Sequence, residues 1–170
     1  MIIALTGFMG SGKSTVGALL SDALGCPFLD LDTLIEKQAG RSIPAIFQAE
    51  EEAGFRRLEK KVLEETVRKY AENTAVLSLG GGTLMTPGAA ALIREKALCI
   101  YLKTSPETLS ERLRPEAGSR PLLKGAPLEE RISSLLSERE AIYEKCADAV
   151  VATDSLTPEE IAEEIVLLCL

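Results

Sequence analysis

The chain has 170 residues, of which 46% are apolar, and 26 acidic residues against 19 basic ones give a net charge of −7. This composition predicts one folded domain and excludes disorder. The acidic balance gives no support to a nucleic-acid-binding surface, so an anionic ligand must be held by a few well-placed cations. Because the chain contains no histidine, His-based triads and His metal sites are excluded, and a proton acceptor has to be a carboxylate or water.

The four cysteines, Cys26, Cys99, Cys146 and Cys169, are far apart and form no C-x-x-C pair. We therefore expect four small, buried and reduced thiols rather than disulfides or a zinc site. The chain enters a predicted strand at once, which leaves no room for a signal peptide, and no apolar run is long enough to span a bilayer. The expected location is the cytoplasm.

A phosphate-binding motif begins at Gly7, where residues 7–14 read G-F-M-G-S-G-K-S and match G-x-x-x-x-G-K-[ST]. An apolar run at 2–5 predicts a buried strand before it, and helical spacing at 15–24 predicts a helix after it. The glycines bring backbone N–H groups close to phosphate, Lys13 supplies a cation, and the Ser14 hydroxyl suits Mg²⁺. A plain glycine turn would explain the glycines but not the Lys-Ser pair.

The rest of the chain alternates strands with helices. Further strands are predicted at 27–29, 75–79, 98–102 and 149–151. Helices are predicted at about 33–39, from Ser42, at 50–70, 87–96, 106–113 and 128–145, and after Thr157. Residues 114–127 are polar and rich in Gly and Pro, which is typical of a mobile functional loop. The alternation predicts a parallel sheet with helices on both faces, a three-layer α/β/α fold.

Two carboxylates, Asp30 and Asp32, follow the second predicted strand. Ligands bind at the carboxyl edge of open α/β sheets, and this edge carries the phosphate loop as well. The position suits Mg²⁺ and a hydroxyl group, although strand-end or helix-cap roles would also account for both residues.

Charged residues interrupt two apolar helix stripes. In the helix at 50–70, Arg56 and Glu59 share a face with Leu63, Val67 and Tyr70, and in the later helix Arg139 falls among Leu128, Ile132, Leu135 and Ile142. Each arginine could bury its stem and leave its head in water. Two such arginines in an acidic protein favour a buried carboxylate or hydroxyl ligand, because a guanidinium fork fits a planar carboxylate.

Three consecutive glycines, Gly80, Gly81 and Gly82, follow the third predicted strand. A flexible turn is the simpler interpretation, but three glycines lower stability without adding packing. A close approach of the backbone to a ligand explains them better.

Together these motifs resemble those of the shikimate kinase family along almost the whole chain. The matching stretches are G-F-M-G-S-G-K-S-T-V-G from Gly7, D-L-D from Asp30, G-R-S-I-P-A-I-F from Gly40, F-R-R-L-E from Phe55, S-L-G-G-G from Ser78, R-P-L-L from Arg120, and Arg139-x-x-x-Tyr143. Their order and spacing are far more specific than the phosphate loop alone.

The resemblance implies a single domain over residues 1–170, of the type found in nucleoside monophosphate kinases. Its five-stranded parallel sheet would have the order 2-3-1-4-5, with a substrate-binding region at about 33–62 and a mobile lid at about 112–127. The implied reaction transfers the γ-phosphate of ATP to the 3-hydroxyl of shikimate, giving shikimate 3-phosphate and ADP in the chorismate pathway to aromatic amino acids.

The resemblance also assigns roles to individual residues. The phosphates of ATP would be held by Gly10, Ser11, Gly12, Lys13, Ser14 and Thr15. Ser14 and Asp30 would serve one Mg²⁺ ion, and Arg120 would reach the phosphates from the lid. Either Arg112 or Arg114 would stack near the adenine, with Arg112 favoured.

On the acceptor side, the resemblance makes Asp32 the residue that holds the 3-hydroxyl and accepts its proton. Arg56 and Arg139 would grip the shikimate carboxylate, and the backbone of Gly80, Gly81 and Gly82 would contact the ring. Lys13, Asp32 and Arg120 form the implied catalytic set. A monomer is expected.

Other functions remain open at this point. Another small kinase, acting on gluconate or a nucleoside monophosphate, would also use two arginines in one pocket. A switch or motor module that hydrolyses ATP or GTP is disfavoured, since the chain has no N-K-x-D motif and no apolar strand ending in Asp-Glu. A silent binding paralogue would be expected to have lost Lys13 or Asp32, and both are present.

Overall fold

A computed structural model describes residues 1–170 of the chain. Its strands are β1 (Ile2–Thr6), β2 (Phe28–Asp30), β3 (Ala75–Ser78), β4 (Ala97–Lys103) and β5 (Ala149–Ala152). Its α-helices are α1 (Lys13–Leu24), α2 (Leu31–Ala39), α3 (Ile43–Lys69), α4 (Ala89–Lys96), α5 (Pro106–Leu113), α6 (Leu128–Cys146) and α7 (Pro158–Cys169). Short 3₁₀ helices lie at Thr83–Met85, Arg114–Ser119 and Pro121–Leu123.

The five strands form one sheet of order β2-β3-β1-β4-β5, and every neighbouring pair is parallel. This confirms the predicted fold class and strand order. Along β1, Ile2 and Ala4 pack into a core beneath α3, α4 and α6, whereas Ile3 and Leu5 pack into a second core beneath α1 and α7. Since successive strand residues face opposite sides of a sheet, the central strand separates the two cores and the fold has three layers.

The boundary between the second strand and the following helix differs from the prediction. The second strand was predicted at 27–29 and the following helix at about 33, but the strand runs through Asp30 and α2 begins at Leu31. The Asp30 carboxylate accepts a hydrogen bond from the Thr33 N–H at 3.2 Å, which is the contact of an N-cap residue. The helix therefore begins directly after the strand.

The α3 segment is interrupted at Glu51, whose φ of 59° and ψ of −176° are not helical. Residues 43–50 and 52–69 are therefore two helical stretches, in agreement with the two helices predicted there. Ser42 caps the first stretch by accepting from the Ala45 N–H.

The predicted lid contains more regular structure than expected. Residues 114–127 carry no helical period, yet they include the 3₁₀ helices Arg114–Ser119 and Pro121–Leu123. These helices left no signal in the sequence because 3₁₀ turns are too short to leave a periodic pattern, and the role of the segment as a mobile lid stays a prediction.

All four cysteines are free thiols, as predicted. Cys99 and Cys146 are buried, whereas Cys26 and Cys169 are partly exposed, so the prediction of four buried cysteines was wrong for these two. None of the helices combines the length and the apolar character that crossing a bilayer requires.

Candidate active site

The phosphate loop joins β1 to α1 at the carboxyl edge of the sheet. Gly10 and Gly12 have φ values of 81° and 94°, a conformation that residues with a Cβ rarely adopt. Lys13 is buried, and its Nζ donates to the carbonyl oxygens of Gly7 at 2.8 Å and Phe8 at 2.9 Å. Burial lowers the pKa of Lys13 to about 8, although the nearby Asp32 and Asp30 act to raise it. The lysine is thus a positive charge held against the loop.

Ser14 and Asp30 form a pair of oxygen donors beside this loop. The Ser14 hydroxyl donates to Asp30 Oδ2 at 2.8 Å, while Asp30 Oδ1 caps α2. Hydroxyl and carboxylate oxygens suit Mg²⁺, which binds proteins through one or two such groups and takes its remaining ligands from phosphates and water. The residues present therefore fit a magnesium–nucleotide complex.

Asp32 lies in the first turn of α2 and is half-buried. Burial raises the pKa of its carboxyl to about 6, and the charges of Asp30 and Glu59 add to this effect, whereas Lys13 and Arg120 oppose it. A Cβ placed on Gly80 would lie 3.1 Å from Asp32 Oδ1, so the carboxylate lies against the glycine loop. A carboxylate with a pKa near neutrality is suited to accept a proton.

Glu59 is completely buried and accepts three hydrogen bonds. The donors are Arg56 Nη1 at 2.9 Å, Thr83 Oγ1 at 2.8 Å and Thr86 Oγ1 at 2.8 Å. A Cβ on Gly82 would collide with the Arg56 guanidinium. Glu59 therefore fixes the Arg56 guanidinium against the glycine loop.

Arg139 is only 5% exposed, and its Nη1 has no hydrogen-bond partner. The guanidinium carbon lies 5.8 Å from the centre of the Phe8 ring, and Nη1 lies 3.4 Å from the position of a Cβ on Gly81. Leaving a buried charged donor unpaired is costly, so such a group indicates a missing acceptor. The Arg139 side chain therefore does not extend into solvent, which was one of the two interpretations of an arginine in the apolar stripe of α6. The other interpretation, that the arginine binds a ligand, is favoured.

The three arginines before and within the lid have different surroundings. Arg112 Nη1 donates to the Gly10 carbonyl at 3.1 Å, beside the phosphate loop. Arg114 is 65% exposed in its side chain and pairs with Glu129 at 3.0 Å, away from the loop. Arg120 pairs with Glu116 at 2.8 Å. Of the two candidates for the adenine contact, Arg112 is the one beside the nucleotide loop.

These groups line one open cavity of about 970 Å³. Of the candidate residues from the sequence, only Arg114, the alternative for the adenine contact, does not line it; the lining includes Gly10, Ser11, Gly12, Lys13, Ser14, Thr15, Asp30, Asp32, Arg56, Gly80, Gly81, Gly82, Arg112, Arg120 and Arg139. The lining also includes the apolar residues Leu156, Pro158 and Ile161. The cavity thus combines the phosphate loop, two arginines beside the glycine loop and an apolar wall.

Sequence reasoning missed two participants. Glu59 was recognised as a charge on a core-facing stripe, but its role in fixing Arg56 depends on Thr83 and Thr86, which lie far along the chain. Tyr143 is fully buried and donates from its hydroxyl to the Gly81 carbonyl, a contact that only tertiary structure reveals.

The chain was compared with known families and structures. The family model "Shikimate kinase" matches residues 9–169. A shikimate kinase of Chlorobaculum parvum is 45% identical over 172 residues, which cover 96% of this chain and 89% of the relative. Shikimate kinase from Acinetobacter baumannii, in complex with shikimate, gives a TM-score of 0.93 at 34% identity and covers 99% and 92% of the two chains. Shikimate kinase from Aquifex aeolicus gives 0.83 at 42% identity and covers 98% and 95%.

The matched region contains the phosphate loop, the glycine loop and both inward-facing arginines. Identity of this level over nearly the full length of both chains, with the same fold, is decisive. The chain belongs to the shikimate kinase family of ATP-dependent kinases.

Proposed function

We propose that the protein transfers the γ-phosphoryl group of ATP to the 3-hydroxyl of shikimate, giving shikimate 3-phosphate and ADP on the route to aromatic amino acids. The observation that carries this proposal is the buried, unpaired Nη1 of Arg139 beside Gly81. Arg56 lies against the adjacent Gly82, so two guanidinium groups flank one short loop. A small hydroxy acid bound there has its carboxylate between two cations.

The nucleotide takes the other end of the cavity. Gly10, Ser11, Gly12, Lys13, Ser14 and Thr15 receive the phosphates through backbone N–H groups and the lysine charge. Arg112 lies beside this loop and packs against the base, which is also covered by Leu156, Pro158 and Ile161. This assignment supports Arg112 over Arg114 as the adenine contact.

Ser14 and Asp30 would hold one Mg²⁺ ion together with the phosphates. When bound, such an ion supplies positive charge to the phosphate oxygens. Lys13 and Arg120 add their own charges from the loop and the lid, and Arg120 exchanges its partner Glu116 for phosphate. The protein's part is therefore largely electrostatic.

Asp32 orients the attacking group and takes its proton. The carboxylate lies against Gly80 and is ionised above a pKa of about 6. As the 3-hydroxyl oxygen forms its bond to the γ-phosphorus, the bond to the β–γ bridging oxygen breaks, ADP leaves and the hydroxyl proton passes to Asp32. Lys13, Asp32 and Arg120 form the catalytic set of this proposal.

The proposal extends to a mobile lid, an acceptor-binding region, the oligomeric state and the cellular location. Residues of about 112–127 act as a lid that excludes water, and about 33–62 form the region that binds the acceptor. A monomer in the cytoplasm completes the proposal.

Release of ADP tests the function directly. Purified protein with Mg²⁺-ATP is given shikimate, gluconate, a nucleoside monophosphate or no acceptor in parallel. We expect release with shikimate alone. Release without an acceptor would replace the proposal by nucleotide hydrolysis, and release with another acceptor would reassign Arg56 and Arg139 to a different acid.

A further inference from the structure

Tyr143 lies behind the glycine loop, one turn of α6 beyond Arg139. Its side chain is fully buried, does not line the cavity, and packs against Tyr101 with a ring-centre distance of 5.1 Å. Its hydroxyl donates to the carbonyl oxygen of Gly81. One face of α6 therefore contacts the same glycine through a charged and a neutral donor.

The Tyr143 hydroxyl keeps its proton at physiological pH and can therefore always donate a hydrogen bond. Burial raises the pKa of Tyr143 to about 12, although the neighbouring charge of Arg139 acts in the opposite direction. A phenol that keeps its proton holds the Gly81 carbonyl in one direction at all times.

That direction determines where the next N–H points. In a trans peptide the carbonyl and the following N–H are antiparallel, so the Gly82 N–H points away from Tyr143. Gly82 is a buried residue that lines the cavity, and its N–H donates to no acceptor within the protein. An N–H of a cavity-lining residue that has no partner within the protein is available to an acceptor in that cavity.

Gly81 is also where the two substrate regions meet. A Cβ at this position would lie 3.1 Å from the backbone nitrogen of Met9 in the phosphate loop and 3.4 Å from Arg139 Nη1. A rotation of the Gly81–Gly82 peptide would therefore disturb the acceptor contacts while the chain around it stayed folded.

We propose that Tyr143 is a positioning residue whose hydroxyl holds the Gly81–Gly82 peptide so that the Gly82 N–H binds an oxygen of the acceptor. This inference rests on the proposed function for the identity of the acceptor, but not for the orientation of the peptide. The residue does not touch the reacting atoms and acts only through the loop.

The test compares Tyr143→Phe with Tyr101→Phe. Both variants lose one hydroxyl and keep a packed ring, but the Tyr101 hydroxyl makes no hydrogen bond to the glycine loop. We expect Tyr143→Phe to raise KM for shikimate about 5–20-fold, with KM for ATP and kcat within threefold of wild type. A shikimate KM raised less than threefold, or raised equally in Tyr101→Phe, would overturn the inference.

A second measurement separates this inference from the proposed function. If wild-type protein shows no shikimate-dependent turnover, the proposed function fails, and the peptide orientation is then judged by the ¹⁵N–¹H signal of Gly82 without substrate. A signal that shifts in Tyr143→Phe and stays in place in Tyr101→Phe supports the positioning role. An unshifted signal in Tyr143→Phe overturns it.

Discussion

Asp32 combines two properties that conflict in a folded protein. It is half-buried next to Asp30 and Glu59, and yet its proposed role as proton acceptor requires the ionised form. Lys13 and Arg120 compensate only in part, so the pKa of its carboxyl stays at about 6. A base with this pKa is ionised at neutral pH and still binds a proton readily.

Replacing Asp32 by Asn should remove the proton acceptor while keeping the size of the side chain. We expect kcat to fall by a hundredfold or more, roughly the range for loss of a general base, with ATP binding nearly intact. Steady-state kinetics and calorimetric ATP titration measure the two effects. Asp22→Asn, a change at an exposed aspartate of α1, is the matched control, and near-full kcat in Asp32→Asn would remove Asp32 from the role.

The same substitution should stabilise the protein at neutral pH. The pKa of the Asp32 carboxyl is about 6 in the folded protein and 3.8 in the unfolded chain, so the carboxyl ionises more easily when the chain is unfolded. As the pH rises through this range, ionisation of Asp32 therefore lowers the free energy of unfolding. Because the side chain is partly exposed, solvent screening reduces this effect, and we expect Asp32→Asn to raise the free energy of unfolding by roughly 1–2 kcal/mol above pH 6.

Thermal unfolding between pH 4.5 and pH 7.5 measures this difference. The advantage of Asp32→Asn over wild type should be nearly complete above pH 6 and shrink as the pH falls toward 4, because folded wild-type Asp32 is then protonated and no longer carries the cost of a buried charge. An advantage that does not change with pH would show that packing, not charge, is responsible.

At the scale of secondary structure, the break in α3 falls on a residue with an unusual backbone conformation. Glu51 has φ 59° and ψ −176°, a region that is essentially restricted to glycine and costs about 1–3 kcal/mol for other residues. Its side chain is exposed and takes part in no ion pair. Nothing in the side chain offsets the backbone strain.

Glu51→Gly should therefore raise stability. Relief of strain outweighs the greater entropy of glycine in the unfolded chain, and we expect a net gain of about 1 kcal/mol, or roughly 2–4 °C in Tm. Glu64→Gly, at an exposed helical position of α3 whose side chain likewise forms no ion pair, is the matched control and should lose about 1 kcal/mol. Calorimetry of both variants measures the difference, and equal destabilisation by the two changes would contradict the strained conformation.

Strand–helix alternation was sufficient to predict the layers, and motifs at the strand ends and in the helix stripes marked candidate residues. The layers follow from periodicity, as β1 and the stripe of α6 show. The strand order and the individual residue roles came from the resemblance to the shikimate kinase family. The start of a new helix at about residue 50 was predicted, but the positive φ of Glu51 left no signal because glutamate is an ordinary helix former. The lid's 3₁₀ helices were missed because one or two turns give no period.

Contacts between distant parts of the chain were beyond prediction for another reason. Glu59 binds Thr83 and Thr86, and Tyr143 binds Gly81, through separations of 24, 27 and 62 residues. Threonine and tyrosine at such positions are common core residues, and nothing local marks them as donors. These residue pairs come together only when the chain folds and the elements at the carboxyl edge of the sheet become neighbours.

For the whole molecule, the cavity is the region whose polar groups have the fewest favourable partners. Several carboxylates and several cationic side chains lie close together at the carboxyl edge of the sheet, and the buried Nη1 of Arg139 has no hydrogen-bond partner. Ligands that bind only the folded state add their binding energy to folding stability. The acceptor should thus act as a strong stabiliser of the entire domain.

Shikimate at a thousand times its dissociation constant should add about 4 kcal/mol to the free energy of unfolding. For a chain of this length that corresponds to roughly 8–16 °C in Tm, measurable by scanning calorimetry. The methyl ester of shikimate, which lacks the negative charge, should give a much smaller shift at the same concentration.

Arg139→Ala should lose most of the shikimate shift and retain the shift caused by Mg²⁺-ATP, since Arg139 lies against the glycine loop. Removing a desolvated partner of a carboxylate typically costs about 2–5 kcal/mol of binding. Arg68→Ala, an exposed change on α3, should keep both shifts and serves as the control. If Arg139→Ala kept the full shikimate shift, the carboxylate would have to lie elsewhere in the cavity, with Arg56 as its remaining cation.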